Sequence, residues 1–389
     1  MRNAQADDLS RALTVLEQDS TLIAVIEMSQ ASWLIGAIVP GLARNPLKKI
    51  AADETTLLPL LHRWRDEAVR AGRPIARIAV AFEAGRDGFW LARWLRARGI
   101  EAHVIHPSSV PVAREHRRRK TDRLDVNLLL RAFLGWLRGE PEHCSMAAIP
   151  SVAEEDAKRP CREHQSLTEE KTRIVNRMKG MLARFGIRNF NPKLRKAADR
   201  LAGLRTPEDE PIPEHALAEL RREMARLALV KQQLKEIEEA REARLTQHPD
   251  EGTHPMVLLL ARVTGVGLET ADLLVHELMV RNLRDERAVA RYAGLTGAPD
   301  ESGSKRREKG LAKNGNARVR RTMLQLAWRF LMFQPDTELV RWFRARTAGA
   351  KSGTRKTMAV ALARKILIML WRLVKQGEVP DGLCLRPAV

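Results

Sequence analysis

The stretch Thr21-Leu-Ile-Ala-Val-Ile-Glu27 is an unbroken apolar run that ends on a carboxylate, and it decides how the first part of the chain is read. A short run of this kind, rich in β-branched residues, is a strand buried on both faces. Ile75 to Phe82 is a second such run, and it too ends on a carboxylate, Glu83. Trp33 to Val39 reads as a strand able to form a hairpin with the first. Asp53 to Ala71 reads as a helix with Leu57, Leu58, Leu61, Trp64 and Ala68 on one side. Ala84-Gly85 turns into a helix bearing Phe89, Trp90, Leu91 and Leu95, and Ala102 to Ile105 is a short strand. Strands alternating with helices predict an α/β layer structure. Open sheets of that class place their sites at the carboxyl ends of strands, where Glu27 and Glu83 fall.

A second pair of acids lies in Lys120-Thr-Asp122-Arg-Leu-Asp125. Val126, Leu128, Leu129, Ala132, Phe133, Trp136 and Leu137 follow at helical spacing, with Thr121 as a suitable N-cap. Asp122 and Asp125, three apart on a helix, share one face at about 5–6 Å between Cβ atoms. One at a time these acids are explained as caps or surface residues. Taken together, Glu27, Glu83, Asp122 and Asp125 fit a site for Mg²⁺, which prefers carboxylates and water. Two such ions about 3.5–4 Å apart suit displacement at phosphorus. The basic run Arg114-Glu-His-Arg117-Arg118-Arg119-Lys120 stands directly before the pair.

The chain has 389 residues, so two or three domains are expected. Lys and Arg number 68 against 48 Asp and Glu, a net charge of +20. That excess predicts a polyanionic partner, most simply DNA or RNA. No apolar run reaches the 18 residues of a membrane span, so no membrane partner is expected. Met1 to Asp19 is mixed in charge and lacks the apolar core of a signal peptide, which predicts a cytoplasmic protein. Three scattered cysteines, Cys144, Cys161 and Cys384, suit a reducing compartment. Cys161-x-x-His164 has metal-like spacing but no second pair to complete a zinc site.

Residues 138–165, polar and carrying Pro141, Pro150 and Pro160, read as a linker. Leu167 to Phe185 is a basic amphipathic helix, and residues 186–213 are broken by Gly186 and four prolines. A long helix then runs from Glu214 to Gln247. Its apolar positions Leu217, Leu220, Met224, Leu227, Val230, Leu234 and Ile237 suit a coiled coil or helical hairpin. Two uses are open: an oligomerisation arm, or one helix packed on its own domain.

Met256 to Val275 reads as helix, tight Gly265-Val-Gly267 turn, helix, a helix-hairpin-helix-like element whose turn amides can meet a DNA phosphate. Between residues 304 and 321 stand eight cations, Lys305, Arg306, Arg307, Lys309, Lys313, Arg318, Arg320 and Arg321, against Glu308. Punctuated by Gly and Asn, this reads as a loop delivering cations and hydroxyls to phosphate. A serine in it is able to attack phosphorus while arginines stabilise the transition-state charge. The other reading keeps the loop for phosphate binding, its serines donating hydrogen bonds only. Helices over Thr337–Thr347 and Arg355–Lys375 complete a helical C-terminal part.

The three acidic stretches, Ile23–Glu27, Ala81–Gly85 and Lys120–Asp125, resemble the acidic motifs of the DEDD transposases of bacterial insertion sequences. Gly294-Leu-Thr-x-Ala-Pro…Ser302-Gly…Lys313-x-Gly315-Asn316-x-x-x-Arg320 is similar to the C-terminal signature of that family. One position departs: the family's first acid is Asp, and here it is Glu27. The resemblance implies an RNase H-like (RuvC-like) domain over residues 1–140, linker and coiled-coil helices over 141–250, and a helical transposase domain over 251–389. It implies an Mg²⁺ centre on Glu27, Glu83, Asp122 and Asp125, and a serine that links covalently to DNA. Matching the Ser-Gly pair makes Ser302 the first candidate and Ser304 the second. Arg117, Arg118, Arg119, Lys120, Gly265, Gly267, Lys305, Arg306, Arg307, Lys313, Asn316, Arg318, Arg320 and Arg321 are the expected nucleic-acid contacts. A homo-oligomer, dimer or tetramer, acting on the nucleoid with a structured non-coding bridge RNA is implied as well. Three rivals stand beside this reading: a resolvase-like nuclease that activates water, a tyrosine recombinase using Tyr292, and a non-catalytic nucleic-acid-binding relic.

Overall fold

The structure, a computed structural model, describes residues 11–12, 14–110, 122–140, 143–302, 305–311 and 314–387, with the backbone alone at 108, 122, 299–302 and 305–309. The chain divides into two compact units, Met1–Ala153 and Glu154–Val389.

The first unit is built on a five-stranded sheet. Its elements in chain order are β1 (Thr21–Met28), β2 (Ser32–Ile38), β3 (Leu47–Ala51), α1 (Glu54–Arg70), β4 (Arg77–Glu83), α2 (Trp90–Arg96), β5 (Glu101–Ile105) and α3 (Asp122–Leu137). The strand order is β3-β2-β1-β4-β5. β1 pairs antiparallel with β2 and β2 with β3, whereas β4 runs parallel to both β1 and β5, giving a mixed sheet. Leu22, Ala24 and Ile26 face one side of the sheet with α1 and α2, and Ile23 and Val25 face the other with α3. Both faces of β1 are therefore covered, which is why its sequence is continuously apolar. Asp53 caps α1, its carboxylate accepting from the Thr55 amide at 2.9 Å. The Thr121 cap expected for α3 lies outside the described residues.

β3, which the sequence reading passed over, is an edge strand whose Lys48 and Lys49 stay exposed. Charged edges of this kind discourage pairing with other chains, and they hide the apolar alternation that marks a strand. The reading of 138–165 as linker is also corrected. Met146 bridges to Ile105, the Ala147 amide donates to the Val104 carbonyl at 2.7 Å, and Cys144 and Met146 are buried, so this segment extends the sheet edge.

The second unit, entered through α4 (Val152–Asp156), begins with α5 (Arg159–Arg184), whose start lies inside the expected linker. Pro160 occupies the first turn, where a missing amide hydrogen costs no hydrogen bond. α6 (Ala197–Leu201) and α7 (Glu214–Gln247) follow. α5 and α7 form an antiparallel helical pair: Arg177 meets Glu223 at 2.7 Å and His164 meets Glu238 at 2.9 Å. Leu220, Leu227, Val230 and Leu234 pack on Ile174, Val175, Met178 and Leu182, so the long apolar stripe of α7 is covered by α5 of the same chain.

α8 (His254–Arg262), α9 (Leu268–Leu274) with a π-turn over Val275–Met279, α10 (Glu286–Tyr292), β6 (Gly297–Ser302), β7 (Lys305–Leu311), α11 (Ala317–Phe333), α12 (Glu338–Thr347) and α13 (Ser352–Gln376) complete the unit. Leu362, Ile366 and Leu370 of α13 lie in its core with Val319, Met323 and Phe330 of α11. The expected cation loop is corrected: β6 and β7 form an antiparallel hairpin, in which Asp300 and Glu301 oppose Arg307 and Arg306. With apolar alternation absent, register of this kind leaves no hydrophobic signature. Among the described residues no helix is long and apolar enough to cross a membrane.

Gly36 of β2 lets α3 reach the sheet, because a Cβ there would overlap Val126 Cγ1. Gly36→Ala is expected to lose about 1–3 kcal/mol by overpacking, measured as a lower urea midpoint of the first unit, with part of the loss recovered in the Val126→Ala background. A wild-type midpoint in Gly36→Ala would refute close approach as the constraint.

Candidate active site

Ile26 and Phe82 are register partners on the parallel strands β1 and β4, so Glu27 and Glu83 are the next position on each. Adjacent strands are about 4.8 Å apart. Side chains alternate along a strand, and Glu27 and Glu83 share the parity of Val25 and Ala81, which face α3. Both acids line one cleft of about 340 Å³ together with Ser29, Gln30, Arg86 and Asp87. Glu27 is half-buried and Glu83 exposed. Asp125, half-buried, stands at the start of α3 next to Val126, the residue packed against Gly36. Asp122 begins α3, but its carboxylate is outside the described side chains.

The structure thus brings Glu27 and Glu83 to one cleft, at the ends of β1 and β4. Carboxylate oxygens are the donors that a hard divalent ion takes, and of the four expected acids only Glu27 and Glu83, among the described residues, line the cleft. Among the described residues no three His, Cys, Asp or Glu side chains are close enough together to hold a metal ion. Arg86, which sequence reasoning missed, adds a cation to the rim. Its signal is the turn Gly85-Arg-Asp-Gly88 directly after the strand.

Ser302 is the last residue of β6 and opposes Lys305, so it sits at the tip of the hairpin. Ser304 lies outside the described residues, as do Arg117, Arg118, Arg119, Lys120 and Lys313. Lys305, Arg306 and Arg307 are placed along the returning strand by their backbone. The roots of the hairpin are packed on each other. Gly294 (φ +66°) and Gly315 (φ +87°) take left-handed conformations, and a Cβ on Gly315 would lie 2.6 Å from the Arg291 and Tyr292 carbonyl oxygens. The Asn316 amide donates to the Tyr292 carbonyl at 2.6 Å, and Arg320 donates to the Asn314 carbonyl at 3.1 Å.

Asn316 is used inside the unit. Its Oδ1 accepts from the Arg318 and Val319 amides, capping α11, and its Nδ2 donates to Glu277 Oε2 at 2.9 Å and to the Tyr292 hydroxyl at 3.3 Å. Glu277 is 2% exposed and also accepts from Arg162 of α5, at 2.9 Å from Nε. Burial pushes the Glu277 pKa up, but the hydrogen bonds and charge of Arg162, the Asn316 amide and Lys158 outweigh it and hold the carboxyl below the ordinary value. Nothing in the spacing of the sequence marks Glu277; a lone acid within an apolar helix is its one signal.

Of the remaining expected contacts, Arg318 and Arg321 are exposed at the start of α11, and Arg321 pairs with Glu169. Gly265 (φ +96°) and Gly267 form the turn between α8 and α9. The buried Gln334 fixes that turn, donating to the Thr264 and Cys384 carbonyls at 2.9 and 2.8 Å. Cys161 and His164 have protein partners: the thiol donates to Asp272, and the imidazole lies between Glu238 and Glu269.

Residues 257–340 match the family model described as transposase IS116/IS110/IS902 family. The chain is 39% identical over 98% of its length, and 99% of the relative's, to a protein of Sinorhizobium fredii that carries the name transposase y4rJ. It is 25% identical over 77% of its length, and 84% of the relative's, to the transposase for insertion sequence element IS1328 of Yersinia enterocolitica.

The matched stretch contains the hairpin and both of its glycine roots, which separates two kinds of glycine. Gly315→Ala is expected to cost about 3 kcal/mol, from backbone strain and collision with two carbonyls. Gly310→Ala, with a positive φ of 58° but nothing within 4 Å of the added Cβ, is expected to cost about 1 kcal/mol from the left-handed conformation alone. Thermal unfolding of the two variants tests this, and equal losses would contradict it.

Proposed function

Because the chain belongs to the IS116/IS110/IS902 family of transposases, we propose that it binds DNA and cuts and rejoins DNA strands with a carboxylate cluster and a serine nucleophile. The observation that carries this reading is the pair Glu27 and Glu83, side by side in one cleft where β1 and β4 leave the core. The sheet order β3-β2-β1-β4-β5, antiparallel then parallel, supports an RNase H-like, RuvC-like reading of the first unit. In this reading Glu27, Glu83, Asp122 and Asp125 hold Mg²⁺. When bound, the ion supplies charge stabilisation to the oxygens that attack and leave phosphorus.

The serine chemistry needs no outside energy source. Ser302 Oγ forms a bond to phosphorus, one phosphodiester P–O bond breaks, and the serine proton ends on the departing deoxyribose oxygen. A second deoxyribose hydroxyl then attacks the phosphoserine, restoring the serine and closing a new strand, so each bond broken is replaced by one of the same kind. Lys305, Arg306 and Arg307, on the strand that returns from the tip, neutralise the phosphate being transferred. Ser304 is the alternative nucleophile. The glycine turn between α8 and α9 acts as a helix-hairpin-helix-like contact to DNA backbone, where it positions without reading bases. A net charge of +20 suits this partner and a structured guide RNA, to which sequence choice would be delegated by base pairing. Oligomerisation brings further copies of both units to the DNA.

A hydrolytic, resolvase-like reaction on the same acids is the second reading, favoured by Glu27 and Glu83 sharing one cleft within the first unit. Adduct trapping separates the two. Wild type, Ser302→Ala, Ser304→Ala, Tyr292→Phe and Asp125→Ala are incubated with Mg²⁺, flanking DNA of the element and its non-coding RNA. A covalent protein–DNA product is expected in wild type, Ser304→Ala and Tyr292→Phe, with at least about a 1,000-fold loss in Ser302→Ala and Asp125→Ala. An adduct persisting in Ser302→Ala moves the nucleophile, and free cut ends without adduct in wild type favour hydrolysis.

A further inference from the structure

The hairpin that carries Ser302 is two-stranded and polar, and such ribbons are marginal on their own in water. Its aim depends on what holds its roots. Two separate pieces of chain converge there on one carboxylate, and a third joins them through Asn316. Arg162 of α5 donates to Glu277 from Nε at 2.9 Å and from Nη2 at 3.4 Å. Asn316, the N-cap of α11 next to the returning root, donates to Glu277 Oε2 at 2.9 Å. Tyr292, at the entering root, receives the Asn316 side-chain and main-chain donors, and its ring lies 4.5 Å beneath the Arg281 guanidinium. Arg281 in turn donates to the Glu277 carbonyl at 3.2 Å. Glu277 itself sits in the π-turn Val275–Met279, a wider turn of a kind that recurs at functional sites.

An acid that is 2% exposed is costly unless fully paired, and neither partner of Glu277 belongs to its own helix. Core packing of α9 does not need a carboxylate at this place. Serving the hairpin and α5 at once does. Resting on the reading of Ser302 as nucleophile, we infer that Glu277 is a positioning residue for the reaction: by joining Arg162 of α5 to Asn316 at the hairpin root, it fixes the direction in which the serine is presented, and it makes that direction depend on the placement of α5. A displacement of the α5–α7 pair would thereby reach the nucleophile through one ion pair and one amide.

The test uses full-length protein and two variants that break the bridge differently. Glu277→Gln keeps the shape but offers one acceptor to two donors. Asn316→Ser keeps a side-chain oxygen to cap α11 while removing the amide that reaches Glu277. Hydrogen exchange without nucleic acid is followed over residues 297–311 and over α13. In both variants the hairpin amides are expected to exchange about tenfold faster, with α13 unchanged. Adduct formation is expected to fall about 100-fold at unchanged DNA affinity, since a misplacement near 1 Å is enough for that. Arg162→Lys, which keeps the charge, should fall between wild type and Glu277→Gln. Unchanged hairpin exchange in both variants overturns the inference, as does a loss of DNA affinity equal to the loss of adduct. Faster hairpin exchange combined with adducts that ignore Ser302→Ala leaves the clamp standing and removes the nucleophile assignment instead.

Discussion

Strand β1 has no free face. Between Leu22 and Ile26 every residue is fully buried, with helices on both sides of the sheet. A carboxylate anywhere in that run would be stripped of water without a partner, at a cost of several kcal/mol. The first position where polarity is tolerable is the one at which the strand leaves the core, and there stands Glu27. The same holds for β4, whose buried run Ala79–Phe82 yields to Glu83. Since the two strands are parallel and in register, burial alone sets the two acids side by side. The candidate metal site is a by-product of how the core ends, and α3 is let down onto the same face by the missing side chain of Gly36.

The second unit solves a different problem. Its core contains ionic groups, and these are paired in a chain along the base of α5 and α7. Asp272 accepts from Arg241 at 2.9 Å and from the Cys161 thiol, and lies 3.2 Å from His276. Burial raises the Asp272 pKa, but His276, Cys161 and Arg241 together hold it below the ordinary value. For Cys161 burial and the adjacent Asp272 carboxylate act in one direction, pushing the thiol up and keeping it protonated. Glu277 extends this chain towards the hairpin. Groups of this sort add little stability compared with apolar side chains of equal size, but they accept only one arrangement of their partners. That property suits a junction at the roots of a polar ribbon.

The elements that burial dictates could be read from the chain directly. β1, β4, α1 and the full extent of α7 follow from apolar periodicity, and Glu27 and Glu83 follow as the points where the periodicity stops. What the chain hid was decided elsewhere. β3 carries lysines because it is an edge, and the hairpin sequence is mostly charged and small residues, so neither shows the pattern of a half-buried strand. α5 begins eight positions earlier than its apolar stripe because Pro160 is harmless in a first turn. Asn316 looks like a donor for phosphate in a basic stretch, but the fold spends its amide on Glu277, a residue almost 40 positions away whose role depends wholly on tertiary contact. Of the Asp122 side chain and of Ser304 only the sequence speaks.

The contrast between the two halves of the candidate chemistry is physical. The acids stand at the ends of strands in the most constrained part of the first unit, where position is fixed by a sheet buried on both sides. The serine stands at the end of a two-stranded ribbon of mostly polar sequence, whose position is set at the roots. Two left-handed glycines allow the roots to touch, the Asn316 amide locks them through Tyr292, and Glu277 ties the lock to α5. A residue at the tip of the ribbon is placed only as well as that lock holds the roots. Carboxylates that are to meet an ion need their positions within a few tenths of an ångström, and strands buried on both faces supply that, whereas the ribbon takes its placement from the contacts at its base.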